Sequence, residues 1–171
     1  MQIIRIPQGE PFFRVAVCVC FVGNKSDVLI LKRRNDHPIY PGLWGFPAGK
    51  LRSDERTFAQ AAVREIKEET GNVVSIDKLR PLDTRAFKHF KFNGKPFYFI
   101  ARSFVVSSVL PGFRRNPAEH AAAVITSAKE VVAMKPKFFI PDAHEVFLSH
   151  YHKLFVPADF ERQAELAAPR I

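Results

Sequence analysis

The segment from Thr57 to Gly71, TFAQAAVREIKEETG, restricts the fold more than any other stretch, because it demands a helix and then crowds that helix with acid. Thr57 followed by Gln60 has the pattern of a capping box, and Gly71 supplies a stop that tolerates a left-handed backbone. Between them Phe58, Ala59, Ala62, Val63, Ile66 and Thr70 recur at the spacing of one helical face. At about 100° per residue, Glu65, Glu68 and Glu69 fall on a single arc beside the stripe of Ala59, Ala62, Val63 and Ile66. A helix of this design buries its apolar stripe and so gathers three carboxylates at the edge of the buried face.

Like charges three and four residues apart repel by about 0.2–0.5 kcal/mol on an exposed helix, and by more as water is excluded. Arg64 can pair with Glu68 one turn on, but one guanidinium cannot balance three acids. Oxygen ligands of this kind suit Mg²⁺ or Mn²⁺. A divalent metal held by Glu65, Glu68 and Glu69 is therefore the economical reading, set against the bland one of a solvated acidic face. Immediately upstream, Leu43-Trp44-Gly45-Phe46-Pro47-Ala48-Gly49-Lys50-Leu51 has the Gly and Pro content of a tight loop passing close to the helix and a ligand.

Gly49, the acidic Glu55, and Arg64-Glu65-Ile66-Lys67-Glu68-Glu69-Thr70-Gly71 together resemble the Nudix box, the loop-helix-loop signature of hydrolases acting on nucleoside diphosphates linked to another group. The pattern differs in two places. Glu55 and Arg64 enclose one residue more than the family spacing, and Asn72 stands where an aliphatic residue is expected. The extra residue is expected in the loop among Arg52 to Arg56, because Thr57 onward keeps the family spacing; Glu55 then acts indirectly, through Arg64 or a metal-bound water. The resemblance implies an α/β fold, an α/β/α sandwich around a mixed β-sheet. It also implies a main-chain carbonyl ligand at Gly49, metal ligation by Glu65, Glu68 and Glu69, and an orienting role for Arg64.

Cleaving a phosphoanhydride requires charge on the phosphate oxygens to be neutralised and a water to be activated. The family places its general base variously, and here Glu119 in NPAEH and the adjacent His120 both stand open. Lys50, Arg33 and Arg114 are candidate phosphate partners. The leading expectation is hydrolysis of a (d)NTP to the monophosphate and pyrophosphate, with ADP-ribose, nucleotide sugars, dinucleoside polyphosphates and 5′-triphosphate RNA as substrates of the same chemistry. Two expectations of other classes are a non-catalytic Nudix-like module that binds nucleotide or RNA, and a basic nucleic-acid-binding domain with an incidental acidic helix.

At 171 residues, 47% hydrophobic and with 17 Phe, the chain is sized for one full core, expected over 1–156, with a polar helical tail over 157–171. No apolar run reaches membrane-span length and the N-terminus lacks a signal-peptide core, so a cytoplasmic protein without a membrane partner is expected, as monomer or homodimer. Cys18 and Cys20 read as buried thiols in a strand, and the scattered His residues supply no zinc spacing. The net charge of +9 favours polyanions, with a nucleotide as the expected ligand and nucleic acid permitted but not required.

Strands are expected over residues 12–22 and 28–32, forming a hairpin, then over 73–79, as a second hairpin over 84–104 turning at Asn93-Gly94, and over 121–126. Asp36 to Leu43 is expected to be a loop that delivers Trp44 and Phe46, with Trp44 in core packing. Helices are expected from Ser127 to Ala133 and from Pro141 to Phe155. Lys88, His89, Lys91 and Lys95 are expected near the second hairpin's tip.

Overall fold

The computed structural model describes residues 6–22, 27–90, 96–106 and 112–155. The expected tail over 157–171 and the Asn93-Gly94 turn, with Lys91 and Lys95, lie outside these residues. Strand β1 (Phe12–Val22) is the axis of the molecule. It runs parallel to β6 (Pro96–Val106) from Phe12 opposite Tyr98 to Cys20 opposite Val106, and β6 in turn pairs antiparallel with β5 (Leu79–Phe90). On its other edge β1 takes β4 (Ala48–Lys50) and, at its last two residues, β2 (Asp27–Arg33). Strand β2 carries β3 (Trp44–Gly45) and β7 (His120–Ser127), so the mixed sheet splays into two wings joined at the end of β1.

Period-two alternation explains why β1 is apolar on both sides. Val15, Val17, Val19 and Phe21 belong to one core, and Ala16, Cys18 and Cys20 to another. The second core is closed by helix α1 (Phe58–Thr70), which lays Ala61, Ala62 and Ile66 on the sheet. The first is closed by α2 (Ala128–Ala133) and α3 (Pro141–Phe155), through Val131, Val146 and Phe147, together with Phe46 and Phe139. Trp44 packs partly buried against this first core. Both cysteines are free and fully buried beneath α1. Helices on both faces of a mixed sheet make this an α/β sandwich. No helix among the described residues is long and apolar enough to cross a membrane.

One expectation fails. The run Val73–Leu79 is not a strand: Val73 is 79% and Ile76 50% exposed, a single 3-10 turn occupies Ile76–Lys78, and the strand starts only at Leu79. The β6 edge that such a strand would need is already filled by β5 back to Leu79, with a register shift between Pro81 and Asp83 that accommodates a residue lacking an N–H. Strands β1 and β2 pair antiparallel as expected, Phe21 opposite Val28 and Val22 opposite Asp27, while most of β1 runs along β6 and β4.

Helix α1 has the caps read from its sequence. Thr57 accepts from the Gln60 backbone N–H at 3.2 Å, the Gln60 side chain accepts from the Thr57 N–H at 3.0 Å, and Gly71 closes the helix at φ 74°. Thr57→Ala should lower stability by about 1 kcal/mol, the usual worth of such a cap, with the denaturant m-value unchanged. A urea midpoint equal to wild type would show that tertiary packing alone sets this helix start.

Candidate active site

The loop ahead of α1 absorbs the extra residue. Glu55 N–H donates to the Arg52 carbonyl at 3.1 Å and the Arg52 N–H to a Glu55 oxygen at 2.8 Å, forming a local turn that ends before the Thr57 cap. Helix register is therefore regular from Phe58 onward, and Glu65 and Glu69 are 8% and 2% exposed. Glu68 sits further out, held by Arg52 at 3.0 Å and Arg64 at 2.9 Å.

Arg64 gathers the loop and the helix. Its Nε and one terminal nitrogen reach the two Glu55 oxygens at 2.6 and 3.1 Å, the other terminal nitrogen donates to Glu65 and Glu68, and the remaining N–H donates to the Lys50 carbonyl at 2.8 Å. The Arg64 bond holds Glu55 below the ordinary carboxylate range. Gly49 lies directly over Glu65: a Cβ at that position would overlap the Glu65 carboxylate, so only glycine permits this approach.

A second loop docks at the other end of the helix. Arg114 N–H donates to the Thr70 carbonyl at 2.8 Å and Asn116 N–H to the Glu69 carbonyl at 3.3 Å, while the Asn72 side chain donates to the Gly112 carbonyl at 3.1 Å. These bonds give Asn72 a use that an aliphatic residue could not supply. They also carry Glu119 and His120 to Glu69, so that ligand atoms of the three residues lie within 4.8 Å of one another. One Glu69 oxygen accepts from the Ala48 N–H at 3.0 Å and the other meets His120 Nε2 at 3.0 Å. Burial, and then the neighbouring Glu65 and Glu119, push Glu69 well above the ordinary range; burial also raises Glu65. Burial, with Arg33, His37 and Arg115 nearby, lowers His120 to about 4, and its Nδ1 is buried without a partner among the described residues.

A cavity of about 470 Å³ opens between these acids and α3. Glu65, Glu68, Glu119, Arg64, Gly49, Lys50 and Arg33 all line it, while Arg114 lies against the end of α1, beside Gly71, and does not. Lys50 Nζ stands 3.8 Å from the Phe13 ring centroid, and Arg33 donates to the Ile39 carbonyl at 2.7 Å. Sequence reasoning passed over Arg52, Tyr40 and Asp142 on this lining, among others. Arg52 became visible only through its bond to Glu68, and Tyr40 donates to Asp142 across the mouth at 2.8 Å from a left-handed backbone at φ 55°. A bulky residue in that region of φ is strained, so the loop geometry is imposed by its anchors.

The NUDIX domain family matches residues 12–149. The chain belongs to that family. Its Nudix domain is 30% identical over 105 residues to an uncharacterized Nudix hydrolase of Listeria innocua serovar 6a, a match spanning 61% of this chain and 59% of that protein's length. Among solved structures it resembles a MutT protein from Methanosarcina mazei Go1, at 21% identity and TM-score 0.67, covering 86% of this chain and 98% of that one. It also resembles a bifunctional NMN adenylyltransferase/ADP ribose pyrophosphatase from Francisella tularensis, complexed with AMP and a manganese ion, at 20% identity and TM-score 0.58, over 86% of this chain and 43% of that one. These structural likenesses establish the Nudix fold.

The Glu69–His120 pair makes a pH prediction for the metal-free protein. Burial lowers His120 to about 4, so between about pH 4 and 6.5 the unfolded state binds a proton that the folded imidazole does not, and this group makes stability rise with pH. The raised Glu69 works the other way, since above the ordinary carboxylate range the folded state keeps a proton that the unfolded carboxyl releases. Glu69→Gln should therefore steepen the rise of stability with pH below about pH 6.5 in urea denaturation series with chelator present. An unchanged slope would show that Glu69 is ionised in the fold.

Proposed function

We propose that this protein is a divalent-metal-dependent hydrolase of nucleoside diphosphate derivatives, with a (d)NTP, cleaved to the monophosphate and pyrophosphate, as its substrate. The observation that carries this reading is the buried Glu69 carboxylate, gathered with Glu119 and His120 beside a cavity lined by further acids and by Lys50 and Arg33. Three features fit a hard cation: the donor set is mainly carboxylate oxygen, buried Glu69 is crowded by other acids, and Gly49 brings main chain against Glu65 where a side chain would collide. Glu65, Glu68, Glu69 and the Gly49 carbonyl would hold Mg²⁺ or Mn²⁺. A bound ion of this kind supplies charge to phosphate oxygens and makes water more acidic.

The chain's own residues divide the remaining work. Arg64 fixes Glu65 and Glu68 in place, while the Ala48 N–H and His120 fix the two oxygens of Glu69. Lys50 and Arg33 stand on the cavity wall as phosphate partners, consistent with the charge of +9. Glu119, exposed on its loop and facing the cavity, takes the proton of the attacking water. The water oxygen forms the new bond to phosphorus, the anhydride P–O bond breaks, and pyrophosphate leaves with its electron pair. The likeness to the Francisella enzyme, whose name includes ADP ribose pyrophosphatase, makes ADP-ribose the second reading.

A panel of nucleoside triphosphates, ADP-ribose, nucleotide sugars and dinucleoside polyphosphates, incubated with Mg²⁺ or Mn²⁺ and analysed by mass spectrometry, separates these readings. Hydrolysis should stop with chelator. Glu68→Gln and Glu69→Gln should each lower kcat by about 100-fold or more and weaken the thermal upshift caused by the metal, with secondary structure retained. Glu119→Gln should also lower kcat by about 100-fold while keeping that upshift. A folded protein that binds metal and nucleotide but turns over no panel member would be a binding module instead.

A further inference from the structure

The cavity wall contains one polar atom that neither the acids nor the phosphate partners use. Strand alternation places Phe97, Phe99, Ala101 and Ser103 of β6 on the cavity side, beside Val15 and Val17 of β1. Phe87 of β5 stacks on Phe99 with ring centroids 5.2 Å apart and planes 29° apart. Ser103 continues this apolar row between Val17 and Asp83, its register partners, and is only 3% exposed. Among the described residues its hydroxyl makes no hydrogen bond, and it is open to the cavity rather than sealed in the core.

The other uncharged polar side chains on the wall are engaged: Tyr40 with Asp142, and His37 with the Ile39 main chain. The Ser103 hydroxyl has only what occupies the cavity to bond with, whereas its neighbours on this face, Val17 and Ala101, are apolar. An oxygen kept in such a place, facing open volume, is matched to something that enters the volume. Phenylalanine walls admit a flat apolar ring, and a single hydroxyl, able both to donate and to accept, reads one edge of it.

We infer that Ser103 is the base-discriminating residue of this cavity, hydrogen-bonding one edge of a nucleobase held by the phenylalanine wall. This rests on the reading that the cavity receives the nucleoside part of a nucleotide, but not on the hydrolysis. It contributes to binding rather than to the chemical step, since a hydroxyl contact to the base is the same before and during phosphoanhydride cleavage.

The test is calorimetric titration of the metal-free full chain with AMP, GMP, CMP and UMP, for wild type, Ser103→Ala and Ser103→Cys. Wild type should bind one base more tightly than the rest. Ser103→Ala should weaken that preferred monophosphate about fivefold to tenfold and leave the least preferred within about twofold, and Ser103→Cys, a poor hydrogen-bonding isostere, should do the same should the alanine variant fail to fold. In turnover, KM for the preferred nucleotide should rise by a similar factor at constant kcat. Equal weakening for all four bases, no weakening in a folded variant, or a wild type without base preference would overturn the assignment. A wild type that binds with base preference yet hydrolyses nothing would instead overturn the proposed catalysis and leave Ser103 in its role.

Discussion

The guanidinium of Arg64 is the contact on which the acidic face depends. Arginine has five N–H donors in a rigid planar fork, and here two go to Glu55, one each to Glu65 and Glu68, and one to the Lys50 carbonyl. The same group therefore offsets repulsion among carboxylates on the helix and ties that helix to the β4 end of the glycine segment and to the loop between them. Its side chain is 17% exposed and that of Glu55 10%, so the pair is well shielded from the screening that makes surface ion pairs weak. A lysine, with a compact point charge, could not reach all four partners at once.

The opposite end of α1 is held by main chain rather than by charge. Its last carbonyls, at Glu69 and Thr70, accept from Asn116 and Arg114, and these bonds deliver Glu119 and His120 to a carboxylate that the Ala48 N–H and burial have already immobilised. The acids thus meet where two loops clamp one helix. Beyond them, alternation along β1 and β6 sends one set of side chains beneath α1 and the other toward α3. That second set, rich in phenylalanine, gives the cavity an apolar wall beside its charged one. That juxtaposition suits the proposed nucleotide, which has a flat ring at one end and phosphates at the other.

What was legible in the sequence was local. Thr57, Gln60 and Gly71 mark the limits of α1 because capping chemistry acts over a few residues, and the regular register from Phe58 puts Glu65 and Glu69 where the helical period places them. The one-residue insertion could be assigned to the loop because Thr57 onward keeps the family spacing into the carboxylates, and the regular helix from Phe58 agrees. What was not legible depends on partners distant in the chain. The parallel pairing of β1 with β6, the meeting of Glu69 with His120, and the isolation of Ser103 each need contacts across dozens of residues, and none leaves a periodic mark. The mistaken strand at Val73 had the right composition for one, but the sheet edge it needed was already occupied.

A double-mutant cycle between Arg64 and Glu55 addresses the organising role of the guanidinium most directly. Stability would be measured by urea denaturation for wild type, Arg64→Ala, Glu55→Gln and the double variant, at neutral pH and in both low and high salt. The account predicts a coupling energy of about 1–3 kcal/mol that persists in high salt, as expected for neighbours in one shielded hydrogen-bond network. Additivity within about 0.3 kcal/mol, or a coupling abolished by salt, would contradict it and reduce Arg64 to one more charge on a solvated helix.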